Sequence, residues 1–320
     1  MDVIKMDTIH TAYGDFTPHT SGPGYRRKDK FPVNYHKDGV TLKSVHIEEQ
    51  DVVHTSVGDI KAEFVTFHED GSLNAVFQRY AQIGFGWSEK EEREWLTTIE
   101  LDTSVGHISS KLQNIRFYKS GKVKSITFWP DEQIVVNTPI GELKVKSGLK
   151  FYESGKLATC EPASLTIINT QNGPIHCYNP FSLGIDVITN SIKFDEDGAL
   201  TDAMTTMAVE VTIGAAQADV HYDTTVIIRP IRVPDPDDED KFMTVPISLF
   251  WSSDNLYIND SIDTCSWRVD MENVQIRSII AGTRDLGAFG DDIIDDENCE
   301  GDCSDCKLCS SGAFNPFNLV

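Results

Sequence analysis

Apolar residues along the chain fall into short runs, and the same run keeps returning. From Ile115 to Leu157 the sequence reads IRFYKSGKVKSITFWPDEQIVVNTPIGELKVKSGLKFYESGKL. Its skeleton is an aromatic residue, three residues, a glycine, then an L-x-x-V type pair. That skeleton gives Phe117–Gly121–Val123–Ile126 and Phe151–Gly155–Leu157–Cys160. Further copies are Phe67–Gly71–Leu73–Val76 and Phe194–Gly198–Leu200–Ala203. A fifth, Tyr35–Gly39–Leu42–Val45, has one extra residue after the glycine. Self-similarity of this kind marks a repeat architecture.

The tetrads ending at the glycines are HKDG, HEDG, YKSG, YESG and DEDG. Asp or Ser before Gly suits a tight turn, because the short side chain bonds nearby backbone and glycine accepts positive φ. A chain that enters on an aromatic residue and leaves on Leu or Val reads as a β-hairpin. The L-x-x-V spacing breaks strict alternation and predicts a bulge that keeps both apolar residues inside. A second turn family interleaves: Thr55-Ser-Val-Gly58, Thr103-Ser-Val-Gly106 and Thr138-Pro-Ile-Gly141, with looser relatives starting at Asn169 and Asn179. One unit is thus two hairpins. Successive aromatic residues lie 32, 50, 34 and 43 residues apart. A variable period disfavours stacked solenoid rungs and favours a meander whose loops accept insertions.

The predicted fold is all-β: an elongated repeat array of antiparallel hairpins, an open meander or solenoid-like, with one short helix near residues 89–96. Ser88-Glu-Lys-Glu91 reads as a capping box for that helix, which Trp87, Trp95 and Leu96 would pin to the sheet. The GFGW stretch before it reads as packing, with a groove lining as the alternative. Residues 1–30 read as a poorly ordered leader or edge strand, and 31–204 as the array. Residues 205–285 form a further β-section, continuous or separate, whose PDPDDEDK stretch (Pro234 to Lys241) reads as a flexible surface loop. Residues 286–320 are an acidic, Cys-rich tail.

The phrase FYKSGKV…FYESGKL resembles the variant MORN-type repeats of bacterial proteins, over about residues 35–204. The Y-x-G-x-x-x-x-G pattern of standard MORN units is absent, and the period is longer. The resemblance implies an elongated antiparallel β-array used for contact or scaffolding, usually without catalytic residues of its own.

The formal net charge of −22 makes nucleic acid an unfavourable partner, because phosphate binding needs clustered Lys and Arg. No apolar run approaches the roughly 20 residues of a spanning helix. The N-terminus lacks the basic-then-apolar pattern of a signal segment. The expected location is the cytoplasm, away from membrane.

Candidate chemistry concentrates in the tail. Four of seven cysteines form the run Cys299-x-x-x-Cys303-x-x-Cys306-x-x-Cys309. Thiolates are soft ligands for zinc or iron–sulfur clusters. A compact run suits a cubane iron–sulfur cluster better than structural zinc, which usually takes two separated knuckles. The first three cysteines match the C-x-x-x-C-x-x-C pattern of radical-SAM enzymes, but that motif sits early in βα barrels, and this chain has almost no helical periodicity. Cys160, Cys177 and Cys265 read as packing. His36 and His68 share a repeat slot with Tyr118 and Tyr152 and show no ligand pairing. No catalytic motif of the elbow, zincin or Walker type occurs. The leading functional reading is a non-enzymatic β-repeat scaffold or interaction module with a protein partner, its tail a metal site. The alternatives are an iron–sulfur electron-transfer protein using the tail, and a glycan-binding module with an aromatic groove. Open sheet ends need capping, by flanking segments or by a second subunit in a homo-oligomer.

Overall fold

The computed structural model describes residues 7–18, 32–80, 89–182, 190–214, 224–235, 238–259 and 266–279. Among the described residues the fold is all-β with antiparallel sheets, and neither a closed barrel nor a solenoid coil forms. The chain divides into two compact units. One comprises residues 1–163, 180–190 and 196–198; the other comprises 164–179, 191–195 and 199–320.

The first unit contains β1 (Ile9–Thr11), β2 (Gly14–Phe16), β3 (Val33–Tyr35), β4 (Leu42–Thr55), β5 (Gly58–Phe67), β6 (Leu73–Phe77) and α1 (Glu89–Glu94). It continues with β7 (Thr98–Thr103), β8 (Gly106–Phe117), β9 (Val123–Phe128), β10 (Ile134–Thr138), β11 (Gly141–Phe151) and β12 (Leu157–Pro162). The main sheet runs β12-β11-β9-β8-β6-β5-β4-β3, with β10 on β11 and β7 on β8. β1 and β2 pair with each other.

The predicted bulge is present in every copy. Opposite each aromatic residue the register slips by one, so that Phe117 pairs with Val123 but Arg116 pairs with Ser125. The same slip follows Tyr35, Phe67, Phe151 and Phe194. It returns the last residue of L-x-x-V to the inner face. There the pairings join Val45, Val65, Val76, Ile115, Ile126, Leu149 and Cys160 into one row. No member of that row is more than 1% exposed. Burying each such side chain contributes about 1.5–3 kcal/mol, so this row is the core of the unit.

The second turn family forms arms that run on from the strands of this sheet. β4, β8 and β11 each break register partway, at His46/Asp51, Leu112/Asn114 and Lys146/Leu149. Beyond the break the strand continues as one side of an arm ending in a T-x-x-G turn. Val53, Ile60, Leu101, Ile108, Val136 and Val145 on the arms are buried. The tips are tied back: the Ser56 hydroxyl donates to the Gly121 carbonyl, and Ser104 to Gly155, both at 2.6 Å. Neighbouring arms also touch, with the His54 N–H on the Tyr13 carbonyl at 2.8 Å and the Asn137 N–H on Val105 at 2.9 Å.

The two turn types have fixed chemistry. In the arms the Thr hydroxyl donates to the Gly carbonyl and accepts from the N–H two residues on, at Thr55, Thr103 and Thr138. The same bonds occur at Thr11, inside the stretch read as a leader. Ile9–Phe16 there is a hairpin, and Phe16 is fully buried. In the aromatic–glycine turns, the residue after the aromatic reaches the next copy. His36 Nε2 bonds the Phe67 carbonyl at 3.0 Å, His68 Nε2 bonds Phe117 at 3.1 Å, and the Tyr118 hydroxyl donates to Phe151 at 2.8 Å. Imidazole and phenol thus do one job, donation to a main-chain carbonyl, which explains the shared slot. Replacing Tyr118 with Phe is expected to cost about 1 kcal/mol, read as a lower midpoint in urea unfolding.

α1 sits in the longest interval, where the capping pattern places it. Its Arg93 bonds Glu132 at 2.5 Å, and Lys111 Nζ donates to the Arg93 carbonyl at 2.7 Å. Leu96 is buried, while Trp95 is 37% exposed with the Arg79 guanidinium 4.8 Å over its ring. Trp87 and the GFGW stretch lie outside the described residues. No helix among the described residues is long and apolar enough to cross a membrane.

The second unit contains β13 (Thr166–Thr170), β14 (Gly173–Cys177), β15 (Ile192–Phe194), β16 (Leu200–Thr205), β17 (Ala208–Ile213) and β18 (Thr224–Ile228). After them come β19 (Ile231–Asp235), β20 (Asp238–Val245), β21 (Ile247–Trp251), β22 (Asn255–Asn259), β23 (Ser266–Asp270) and β24 (Val274–Ile279). Its sheets run β23-β22-β21-β16-β15 and β18-β17-β24, and β13–β14 and β19–β20 are separate hairpins. The expected acidic loop is mostly strand: Pro234 pairs with Phe242 and Asp235 with Asp238. An isolated two-stranded hairpin is all edge, which is where proline is tolerated. β13–β14 is a full T-x-x-G arm, with Thr170 bonded as in the first unit. Asn172 fixes it: its amide nitrogen donates to Met271 and Val274 carbonyls, and its oxygen accepts from the Trp251 indole at 2.8 Å.

Candidate binding face

The face of the first sheet opposite the core row is built by the same pairings, one residue over. One row joins Ser44, Thr66, Ala75, Arg116, Ser125, Lys150 and Thr159. The next joins His46, Phe64, Phe77, Asn114 and Thr127. Neither row contains a carboxylate. The bulge sets Lys43, Asn74 and Lys124 beside the first row as the skipped residues.

Small and large side chains alternate from strand to strand. Ser44, Ala75, Ser125 and Thr159 are buried between the longer Thr66, Arg116 and Lys150, which are half-buried. The Arg116 guanidinium lies 5.9 Å over the Phe77 ring, and Lys124 Nζ lies 5.6 Å over Tyr118. These contacts hold the charged ends of Arg116 and Lys124 over aromatic rings. Among the described residues, Arg116, Lys124 and Lys150 have no carboxylate within ion-pair distance. Burial and the nearby Glu153 carboxylate both hold the Tyr118 phenol above its ordinary range, so it stays a donor.

At one end of the face the aromatic rings gather. Phe64 and Tyr80 stack at 4.1 Å and 21°, His46 lies 4.2 Å from Phe64, and Phe77 stands edge-on to Tyr80 at 5.3 Å. Tyr80 is 41% exposed. Beside them opens a cleft of about 440 Å³, with Phe64, Ser44, Thr66, Asn74, Lys43 and His68 among its walls. Behind the shelf, the Glu63 carboxylate is 3% exposed and pairs with Arg79, and it also accepts from the Tyr80 N–H at 3.2 Å.

A different cluster marks the arms. Cross-strand His–Asp pairs sit beside three arm turns: His10–Asp15, His54–Asp59 and His107–Asp102, at 2.7–2.8 Å and well exposed. His107 also bonds Glu100 through Nε2 at 2.6 Å. Asp102 and then Glu100 raise the His107 imidazole above an ordinary histidine, while Ser109 and His107 lower Glu100. The protonated form is therefore favoured in the fold. Its stabilisation is complete below the ordinary histidine value and is lost as pH rises through the raised one. An NMR titration should place the His107 midpoint above an ordinary histidine, and Asp102→Asn should bring it down.

The four tail cysteines, Cys299, Cys303, Cys306 and Cys309, lie outside the described residues, as does Cys265. Cys160 and Cys177 are fully buried and unbridged, and burial pushes the Cys160 thiol far up. Both pack as the spacing implied. Among the described residues no group of three or more His, Cys, Asp or Glu is placed to hold a metal ion. Sequence reasoning missed the face opposite the core row entirely, of which Thr66, Phe77, Arg116 and Lys150 are the half-buried members. Its signal was present: the third residue of L-x-x-V is Ser44, Ala75, Ser125 and Thr159, small in every copy of the first unit.

Comparison with protein-family models, with curated proteins and with solved structures finds no match to this chain.

Proposed function

We propose that the chain is a non-enzymatic binding module. In this reading the hairpins form a repeat array, and the polar face of the first unit is its working surface. The observation that carries it is the identical bulge in each copy, which keeps one uninterrupted face in register over strands far apart in sequence. A rigid sheet that presents aromatic rings beside cations with no carboxylate partner suits recognition. Such a surface holds a ligand without needing a nucleophile and base.

The test is retention on arrays of peptides and polysaccharides, comparing the wild-type protein with an Arg116→Glu/Lys150→Glu variant. Circular dichroism and thermal unfolding check that the variant is folded. A ligand retained by the wild type and lost by the variant supports the reading. Retention that the variant does not alter moves the binding surface elsewhere. A turnover activity that falls with these substitutions removes the non-enzymatic reading.

A further inference from the structure

This inference rests on the binding-module reading and names the ligand class. We propose that the face binds an acidic polysaccharide lying across the strands, its carboxylates over Arg116, Lys124 and Lys150 and its sugar rings toward the aromatic shelf.

Charge is the first argument. The chain carries a formal −22, yet these three cations share a face whose rows hold no acid. The Phe194 copy provides the contrast. Its equivalent cation, Lys193, is paired at 3.0 Å with Asp202, which stands where the first unit has Ser125 and Thr159. Small uncharged residues in that position leave the cation available to an anion. Such a site draws an anionic ligand out of a repelling background, so binding must weaken with salt.

Spacing is the second. Arg116 on β8 and Lys150 on β11 are separated only by β9. Two strand spacings are about 9.5 Å. That is the scale of one disaccharide, so a chain with a uronate in each disaccharide brings one carboxylate to Arg116 and the next to Lys150, with Lys124 on the strand between them.

The third argument separates a glycan from an acidic peptide. The row beside that of Arg116 and Lys150 carries Phe77 and Phe64, the Arg116 guanidinium lies over Phe77, and Tyr80 stacks on Phe64. The C–H faces of sugar rings pack on such surfaces, while an acidic peptide gains from the cations alone.

The experiment is affinity electrophoresis of the full chain through gels containing hyaluronate, dextran or poly-L-glutamate. Hyaluronate alternates a uronate with an uncharged sugar. The expected result is retardation by hyaluronate that falls steeply with salt. Arg116→Gln/Lys150→Gln should weaken it by about tenfold or more, and Tyr80→Ala should weaken it without a change of charge. Thermal melts confirm that both variants are folded. Equal retardation by poly-L-glutamate with no effect of Tyr80→Ala would mean an acidic peptide ligand and overturns the proposal. Retardation by dextran, or by none of the three, also overturns it. The binding-module reading is decided separately, by the face-dependent retention on arrays.

Discussion

Replacing Gly173 with Ala is expected to destabilise the second unit by about 3 kcal/mol or more. Gly173 has φ +134, and a Cβ built there falls onto the Ile276 carbonyl oxygen. That oxygen belongs to the backbone of β24, so no side-chain rotation relieves the clash. The arm must lift, and lifting it strains the bonds of Asn172 to Met271, Val274 and Trp251. Gly121→Ala is the control. Its φ is +80, but nothing lies within 4 Å of the new carbon, so only the backbone penalty of about 1 kcal/mol applies. Urea unfolding of the two variants measures the difference. Equal losses would show that β13–β14 does not need close approach to β24.

Arg79→Ala should cost about 3–5 kcal/mol, because it takes the guanidinium from a carboxylate that is nearly fully buried. Glu63 keeps the Tyr80 N–H, but a backbone donor does not replace a cation. The substitution also uncovers Trp95. A Glu63→Gln/Arg79→Met variant should recover most of the loss, since it removes both charges together. Denaturant unfolding of the single and double variants gives the coupling. A double variant as unstable as Arg79→Ala would mean that packing on Trp95, not the ion pair, holds this corner.

What could be read from the sequence divides along physical lines. The aromatic–glycine turns were legible because positive φ and a bulge restrict residue choice at fixed offsets. L-x-x-V announced the bulge before any pairing was known. The arms were legible where Thr and Gly bracket two residues, yet two were undervalued. Thr11–Gly14 has the same spacing but no aromatic–glycine partner nearby, and it sits in a polar stretch. Thr170–Gly173 follows directly on Asn169, so an Asn-started frame competes with the Thr-x-x-Gly one. The face proposed for binding was not legible because it is a property of register. Arg116 and Lys150 are adjacent only once β9 has been placed between them, and no local pattern orders strands. The acidic stretch at Pro234 misled because composition alone ranks it as loop, while its pairing partner Phe242 lies further along the chain.

The bulge also bears on how this chain tolerates change in length. Successive copies differ by up to 18 residues, from 32 to 50, yet the slip falls after the aromatic residue each time. Register is thus reset locally in every copy, and any excess is expelled into the connections, as α1 is. The spacing of side chains on the face becomes independent of how much chain lies between strands. A ligand bound there as proposed would meet a constant ruler, and new material can enter between copies without moving the marks.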